Sequence, residues 1–188
     1  ILFADFNHDG NLDVGTSNNV NKGGFINPNS SSVNTASLGD SKSLMASGNN
    51  YKVNGAFLPF DVNRDGKIDI FGISSEQGNI RPYFSKNKAV TGNFDFENIE
   101  SSIGYDLTEA YGGDFGDFDG DGAHDVVYGA NGFVVLLKNN TQEGTPFTTN
   151  FSLKRVALLP LPNMFGSNKT YTVRFLDVDG DDKLDIVA

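Results

Sequence analysis

Asp5-Phe6-Asn7-His8-Asp9-Gly10-Asn11-Leu12-Asp13 is matched position by position by Asp61-Val62-Asn63-Arg64-Asp65-Gly66-Lys67-Ile68-Asp69. Two further copies follow, Asp117-Phe118-Asp119-Gly120-Asp121-Gly122-Ala123-His124-Asp125 and Asp177-Val178-Asp179-Gly180-Asp181-Asp182-Lys183-Leu184-Asp185. All four obey D-x-[DN]-x-D-G-x-x-D, except that Asp182 stands where the other copies carry glycine. Their starts lie 56, 56 and 60 residues apart. Self-similarity at a nearly fixed period marks a repeat architecture, in which each unit is one supersecondary module stacked on its neighbours.

The charge of the chain is concentrated in these motifs. Positions one, three, five and nine hold 14 of the 19 aspartates, so the rest of the sequence carries 10 acids against 14 bases and is mildly basic. Each motif crowds three or four carboxylates into nine residues, and like charges about 5 Å apart repel by a few kcal/mol per pair at intermediate dielectric. A bound cation removes that repulsion. Four divalent ions would also offset most of the formal charge of −10.

Ligands that are all oxygen, with neither Cys nor His at the alternating positions, select a hard cation. Several carboxylates plus a backbone carbonyl suit Ca2+, which accepts six to eight oxygens in flexible geometry, whereas magnesium retains its waters. The expected ligands are the side chains of Asp5, Asn7, Asp9 and Asp13; Asp61, Asn63, Asp65 and Asp69; Asp117, Asp119, Asp121 and Asp125; and Asp177, Asp179, Asp181 and Asp185. The position-seven carbonyls of Asn11, Lys67, Ala123 and Lys183 complete each set, giving up to four ions. Position six needs positive φ for a sharp turn, which Gly10, Gly66 and Gly122 adopt freely. Asp182 adopts it at a cost of roughly 1 kcal/mol, so the fourth site is expected to be the weakest and the third the best formed.

An EF-hand would require Glu at position twelve, where this chain has Thr16, Gly72, Tyr128 or Ala188. A dockerin-like pair would repeat faster, and thrombospondin type 3 repeats need cysteines, of which there are none. The residues after each loop, 12–14, 68–71, 125–128 and 184–187, are β-branched and aliphatic and read as short strands. Segments 1–4, 56–60, 113–116 and 172–176 form the incoming strands of hairpins clipped by the ion. Third strands are read at 133–137 and 80–84 and fourth strands at 94–96 and 151–159, with no sustained helical period. The stretch 15–40 is largely Asn, Ser, Thr and Gly where clear strands would be expected, so the outer strands of the first repeat are left open.

The fold class expected is therefore all-β, with β-propeller blades of four antiparallel strands and about 56–60 residues each. The repeats are placed at approximately 1–55, 56–111, 112–171 and, in part, 172–188. In these loops the sequence resembles the FG-GAP or VCBS repeats, whose calcium loops sit in the blades of propellers including the integrin α-subunit head. Phe165-Gly166, eleven residues ahead of the fourth loop, and Tyr128-Gly129-Ala130, after the third, stand near that family's two name-giving segments. The resemblance implies about seven blades, so the chain reads as an incomplete segment of a larger propeller whose remaining blades belong to the parent chain.

Composition narrows the function. The net acidity disfavours nucleic acid and anionic membranes as partners, and no apolar run has membrane-spanning length. The opening residues lack a secretory-signal pattern, so targeting information is expected outside these 188 residues. No nucleophile, base or acid stands apart from the fold, and no catalytic residue is assigned. His8 and His124 fall inside the loops and read as loop or strand side chains; Glu76, Asp106, Glu109 and Asp114 receive no role. Tyr51, Tyr83, Tyr105, Tyr111 and Phe165 lie near expected loops and are the candidates for sugar stacking. N-x-[ST] sequences begin at Asn29, Asn139, Asn150 and Asn168. The expected function is a calcium-braced module of a secreted or cell-surface protein, presenting loops to a protein or carbohydrate ligand. The alternative is a propeller segment of a secreted polysaccharide- or lipid-degrading enzyme.

Overall fold

A computed structural model of the chain describes residues 1–17, 24–29, 42–43, 52–76, 79–88, 96–100, 112–130, 132–144, 153–160 and 172–188. Within them the structure is all-β, with no helix among the described residues. The first sheet contains β1 (Leu2–Ala4), β2 (Asp13–Ser17), β3 (Gly24–Asn27) and β4 (Lys42–Ser43), in that order. The second contains β5 (Lys52–Phe60), β6 (Asp69–Glu76), β7 (Asn79–Asn87) and β8 (Phe96–Glu100). The third contains β9 (Gly113–Gly116), β10 (Asp125–Ala130), β11 (Phe133–Asn139) and β12 (Leu153–Pro160). A hairpin of β13 (Arg174–Leu176) and β14 (Asp185–Val187) follows. Every pairing is antiparallel between strands consecutive in sequence, the meander of a propeller blade.

All four acidic loops connect the first and second strands of a sheet in the same register. The residue before the loop pairs with the aspartate at position nine: Ala4 with Asp13, Phe60 with Asp69, Gly116 with Asp125 and Leu176 with Asp185. Because side chains alternate across a strand, this register sends position nine to the same face each time.

One open strand reading is settled and two expected strands are shifted. The stretch 15–40 does contain an outer strand, β3, which β4 then joins to complete a four-stranded sheet. Few apolar residues suffice, because Ile26 is wholly buried with Leu2, Phe6 and Ile70. The incoming strand expected at 56–60 begins instead at Lys52, since an irregular register between Val53 and Phe57 carries the strand past Asn54-Gly55. The fourth strand expected at 94–96 runs over Phe96–Glu100, while 94 and 95 lie outside the described residues.

Apolar contacts join consecutive sheets. Leu2, Phe6 and Ile26 of the first meet Ile70 of the second, with Ile68 and Phe96 packed around them. Phe60 of the second sheet stacks on Phe115 of the third at 5.0 Å between ring centroids, a pair worth ~0.5–1.5 kcal/mol beyond its buried area. Val127, Val134 and Leu136 of the third sheet pack with Val173 and Phe175, and Phe118 stacks on Phe175 at 5.5 Å. Gly116 is what lets this hairpin approach: a Cβ there would lie 2.8 Å from Leu184 Cδ1 and 3.3 Å from Phe175 Cδ2.

Candidate metal centre

Each loop is wound around the aspartate at position one, whose two oxygens accept the N–H groups of positions five and six. The bonds are 3.1 and 2.9 Å to Asp5, 3.0 and 2.7 Å to Asp61, 2.9 and 2.9 Å to Asp117, and 3.2 and 3.0 Å to Asp177. At position five, Asp9, Asp65, Asp121 and Asp181 each accept the N–H of position seven at 2.8–3.0 Å. These bonds hold Asp9 and Asp121 below the usual carboxylate range, chiefly through the N–H groups of Asn11 and Ala123.

The turn needs positive φ at position six, found at Gly10, Gly66 and Gly122 and at Asp182, with φ of 63°. It needs it at position four too, where His8 and Arg64 both have φ of 56° and the other loops place Gly120 and Gly180. The sequence reading missed this second requirement, although glycine in two of the four copies was the signal for it. His8 is half-buried there instead of loop-exposed. His124 is exposed, yet its ring lies 5.5 Å from that of Phe115 and 6.3 Å from that of Phe60.

Position nine has a structural task of its own. Asp13, Asp69 and Asp125 are buried, with one oxygen accepting the position-two N–H of Phe6, Val62 or Phe118 at 3.0–3.2 Å. The other oxygen accepts a backbone N–H from the end of the neighbouring third strand, that of Asn29, Asn87 or Asn139, at 2.8–2.9 Å. A carboxylate offers about four lone-pair directions, so two such bonds leave acceptor capacity for an ion. Burial raises the pKa of all three, that of Asp69 to about 7, with the charges of Asp65 and Asp61 adding to the effect. Burial likewise raises that of Asp61. In the fourth loop Val178 donates to Asp185 at 3.1 Å, but Asp185 is exposed.

Two asparagines unremarked as structural residues in the sequence reading link the first and second loops to the sheets that follow them. Asn87, at the end of β7, donates its side-chain amide to Phe6 O at 2.8 Å and to Ile68 O at 3.0 Å. Asn139, at the end of β11, donates to Val62 O at 2.8 Å. Arg64 Nη2 reaches Thr141 O at 3.3 Å across the same boundary, and Gly144 N donates to Asn63 O at 2.8 Å. In a chain rich in Asn these positions do not stand out; their spacing from Asp69 and Asp125 was the available signal. The N-x-[ST] sequence at Asn139 is thus built around a buried side chain. Asp114, unassigned from sequence, accepts Phe115 N at 3.0 Å and Phe175 N at 3.1 Å and ties the third sheet to the hairpin. Asp106, Glu109, Tyr51, Tyr105, Tyr111 and Phe165-Gly166 lie outside the described residues, as do the side chains of Glu76 and Tyr83.

Side-chain oxygens of Asp117, Asp119 and Asp121 lie within 4.8 Å of one another, as do those of Asp177, Asp179 and Asp185. These clusters could hold a metal ion, and their all-oxygen donor set fits a hard one. The FG-GAP-like repeat profile matches residues 61–128 and again 117–188, so that each match begins at one acidic loop and takes in the next. The chain belongs to the FG-GAP-like repeat family. In this chain the FG-GAP-like unit is a hairpin closed by an acidic loop and locked to its neighbour by apolar and amide contacts. No curated protein matches the chain. No helix among the described residues is long and apolar enough to cross a membrane.

Proposed function

We propose that the chain is a calcium-braced propeller module of a secreted or cell-surface protein, with exposed loops that engage a protein or carbohydrate ligand. The observation that carries the calcium reading is one loop geometry repeated four times, with three acidic oxygens drawn within 4.8 Å in two of the copies. The side chains at positions one, three, five and nine and the position-seven carbonyl would hold the ion. When bound, the ion neutralises carboxylates that otherwise repel and braces the turn between the first two strands. Position nine, already anchored to its own loop and to the end of the third strand, would transmit that bracing into the sheet. Extracellular modules bind calcium at roughly 10⁻⁴–10⁻³ M, so weak sites of this kind fill outside the cell, which supports an extracellular setting.

Further blades of the same family would flank the segment. Phe3 and Leu12 are about three-fifths exposed, whereas the residues in their places in later repeats, Phe115 and Phe175, or Ile68 and Leu184, pack against the preceding sheet. Val178 is similarly exposed, although its counterparts Phe6 and Val62 are wholly buried under the following sheet. The decisive experiment melts the chain in EDTA and again with calcium or magnesium restored, and counts bound ions by titration. A calcium-specific rise in Tm with three or four ions bound is expected. Loops that stay empty at millimolar calcium overturn the reading.

A further inference from the structure

The four loops solve the same electrostatic problem in two ways. Position three is Asn7 and Asn63 in the first two, and each amide donates to the carboxylate at position five, at 3.1 Å to Asp9 and 3.2 Å to Asp65. Position three is Asp119 and Asp179 in the other two, and an ionised aspartate cannot donate. In both of these a lysine ammonium makes the bond instead. Lys138 Nζ pairs with Asp119 and lies 3.2 Å from Asp121 Oδ2, while Lys183 Nζ lies 3.0 Å from Asp181 Oδ2.

The two lysines are not equivalent. The Lys183 side chain is 79% exposed and belongs to the loop, whereas that of Lys138 is 30% exposed and arrives from β11, nineteen residues beyond Asp119. Lys138 also immediately precedes Asn139, whose backbone N–H clamps Asp125 and whose amide holds Val62 O. The strand that fixes position nine therefore also delivers a positive charge between positions three and five. The residue that likewise precedes the clamping asparagine is the uncharged Pro28 in the first loop and Lys86 in the second, whose side chain lies outside the described residues.

We propose that Lys138 is a tethered counter-cation of the third loop: its ammonium links the position-three and position-five carboxylates in the metal-free protein and must withdraw before a divalent ion enters, so that it sets the calcium concentration at which this loop fills. This rests on the calcium reading above. The same carboxylates cannot keep the ammonium between them and close on an ion, so only the fraction of molecules with Lys138 withdrawn is ready to bind. Apparent affinity falls by that fraction. The third loop carries one more negative charge than the first two, and Lys138 offsets the extra attraction that this charge would give it.

The test replaces Lys138 by Met in the whole chain and follows calcium binding through the amide resonances of Gly10, Gly66 and Gly122, the position-six residues of loops one to three. The Gly122 midpoint is expected at roughly twofold to fivefold lower calcium, with Gly10 and Gly66 unmoved, as for loss of a partly exposed ion pair that competes with the ligand. In EDTA the Lys138→Met Tm falls, and adding Asp119→Asn restores it, because the new amide donates as Asn7 and Asn63 do. An unchanged Gly122 midpoint, or an equal shift of all three glycines, overturns the proposal and leaves the calcium reading standing. Failure of every glycine to respond in either protein overturns the calcium reading, and this proposal with it. Amine labelling of Lys138 in the unsubstituted chain needs no variant to fold: calcium should raise its rate several-fold, and a rate that stays level or falls overturns the proposal.

Discussion

The second and fourth loops share five of nine residues, the aspartates at positions one, five and nine among them, yet they sit in different surroundings. Around the second, Asp69 is buried and accepts N–H groups from Val62 and Asn87, and Asn139 of the next sheet holds Val62 O. Around the fourth, Asp185 is exposed, Val178 is 62% exposed, and Asp182 occupies the left-handed position that glycine fills elsewhere. The comparison teaches that the motif shapes the turn locally, while burial of position nine and capture of position two come from strands remote in sequence. In the first three loops the aspartate at position nine is a buried clamp between its loop and the third strand, and on the proposed calcium reading it would also offer an oxygen to the ion.

The sharpest way to break this comparison is to remove the clamp. Asp69→Ala strands two buried N–H groups and should cost about 2–5 kcal/mol in chemical denaturation, against under about 1 kcal/mol for Asp185→Ala, even in EDTA. Equal costs would show that position nine matters only as an ion ligand. Acidity probes the same residue. The folded pKa of Asp69, about 7, lies above its unfolded value near 4, so the folded state binds the proton more tightly. Metal-free stability from this group is therefore full below about pH 4 and lost as pH rises through about 7. Metal-free Tm should climb as pH is lowered from 8 to 6, with the Asn87 amide resonance titrating near 7; saturating calcium should reverse the slope, since proton and ion compete. A metal-free Tm that falls over that range would mean the two N–H bonds outweigh burial.

Smaller effects test the contacts between sheets and the strain in the fourth loop. Asn139→Ala removes the donor to Val62 O and the acceptor of Thr141 N and should cost about 1–3 kcal/mol, with the Val62 and Asn63 amides losing hydrogen-exchange protection. Protection lost only within the third sheet would argue against linkage of the second loop through this side chain. Asp182→Gly should stabilise the metal-free chain by roughly 1 kcal/mol by relieving positive φ, though the more flexible unfolded chain reduces the gain. A loss of stability there would show that the Asp182 side chain contributes more than its backbone strain costs.

Legibility followed the range of the interactions. The acidic loops, the hairpins they close and the strands of the third sheet are local patterns, and Asp125–Ala130 and Phe133–Asn139 stand where β-branched and aliphatic runs place them. The positive φ at Asp182 was equally readable, because it depends on one turn. What escaped depends on partners far along the chain. Asn87, Asn139 and Asp114 look like ordinary polar residues until a neighbouring sheet brings Phe6 O, Val62 O and Phe175 N against them. Strand β3 was left open for a related reason, since Phe25 and Ile26 are a lone strand-favouring pair in an Asn-, Ser- and Gly-rich stretch and burial of Ile26 places them.

By itself the sequence determined the repeat, its period and the chemistry of its loops, because spaced carboxylates, turn glycines and alternating apolar residues act over a few bonds. Asn or Asp at position three already decides whether an amide can bridge to position five, but tertiary structure alone decided which of those carboxylates are buried and which the ammonium of Lys138 reaches. The backbone clamp on Asp125, the Lys138 pairing and the amide link from Asn87 to Phe6 O join groups 14, 19 and 81 residues apart, and no nine-residue motif encodes those.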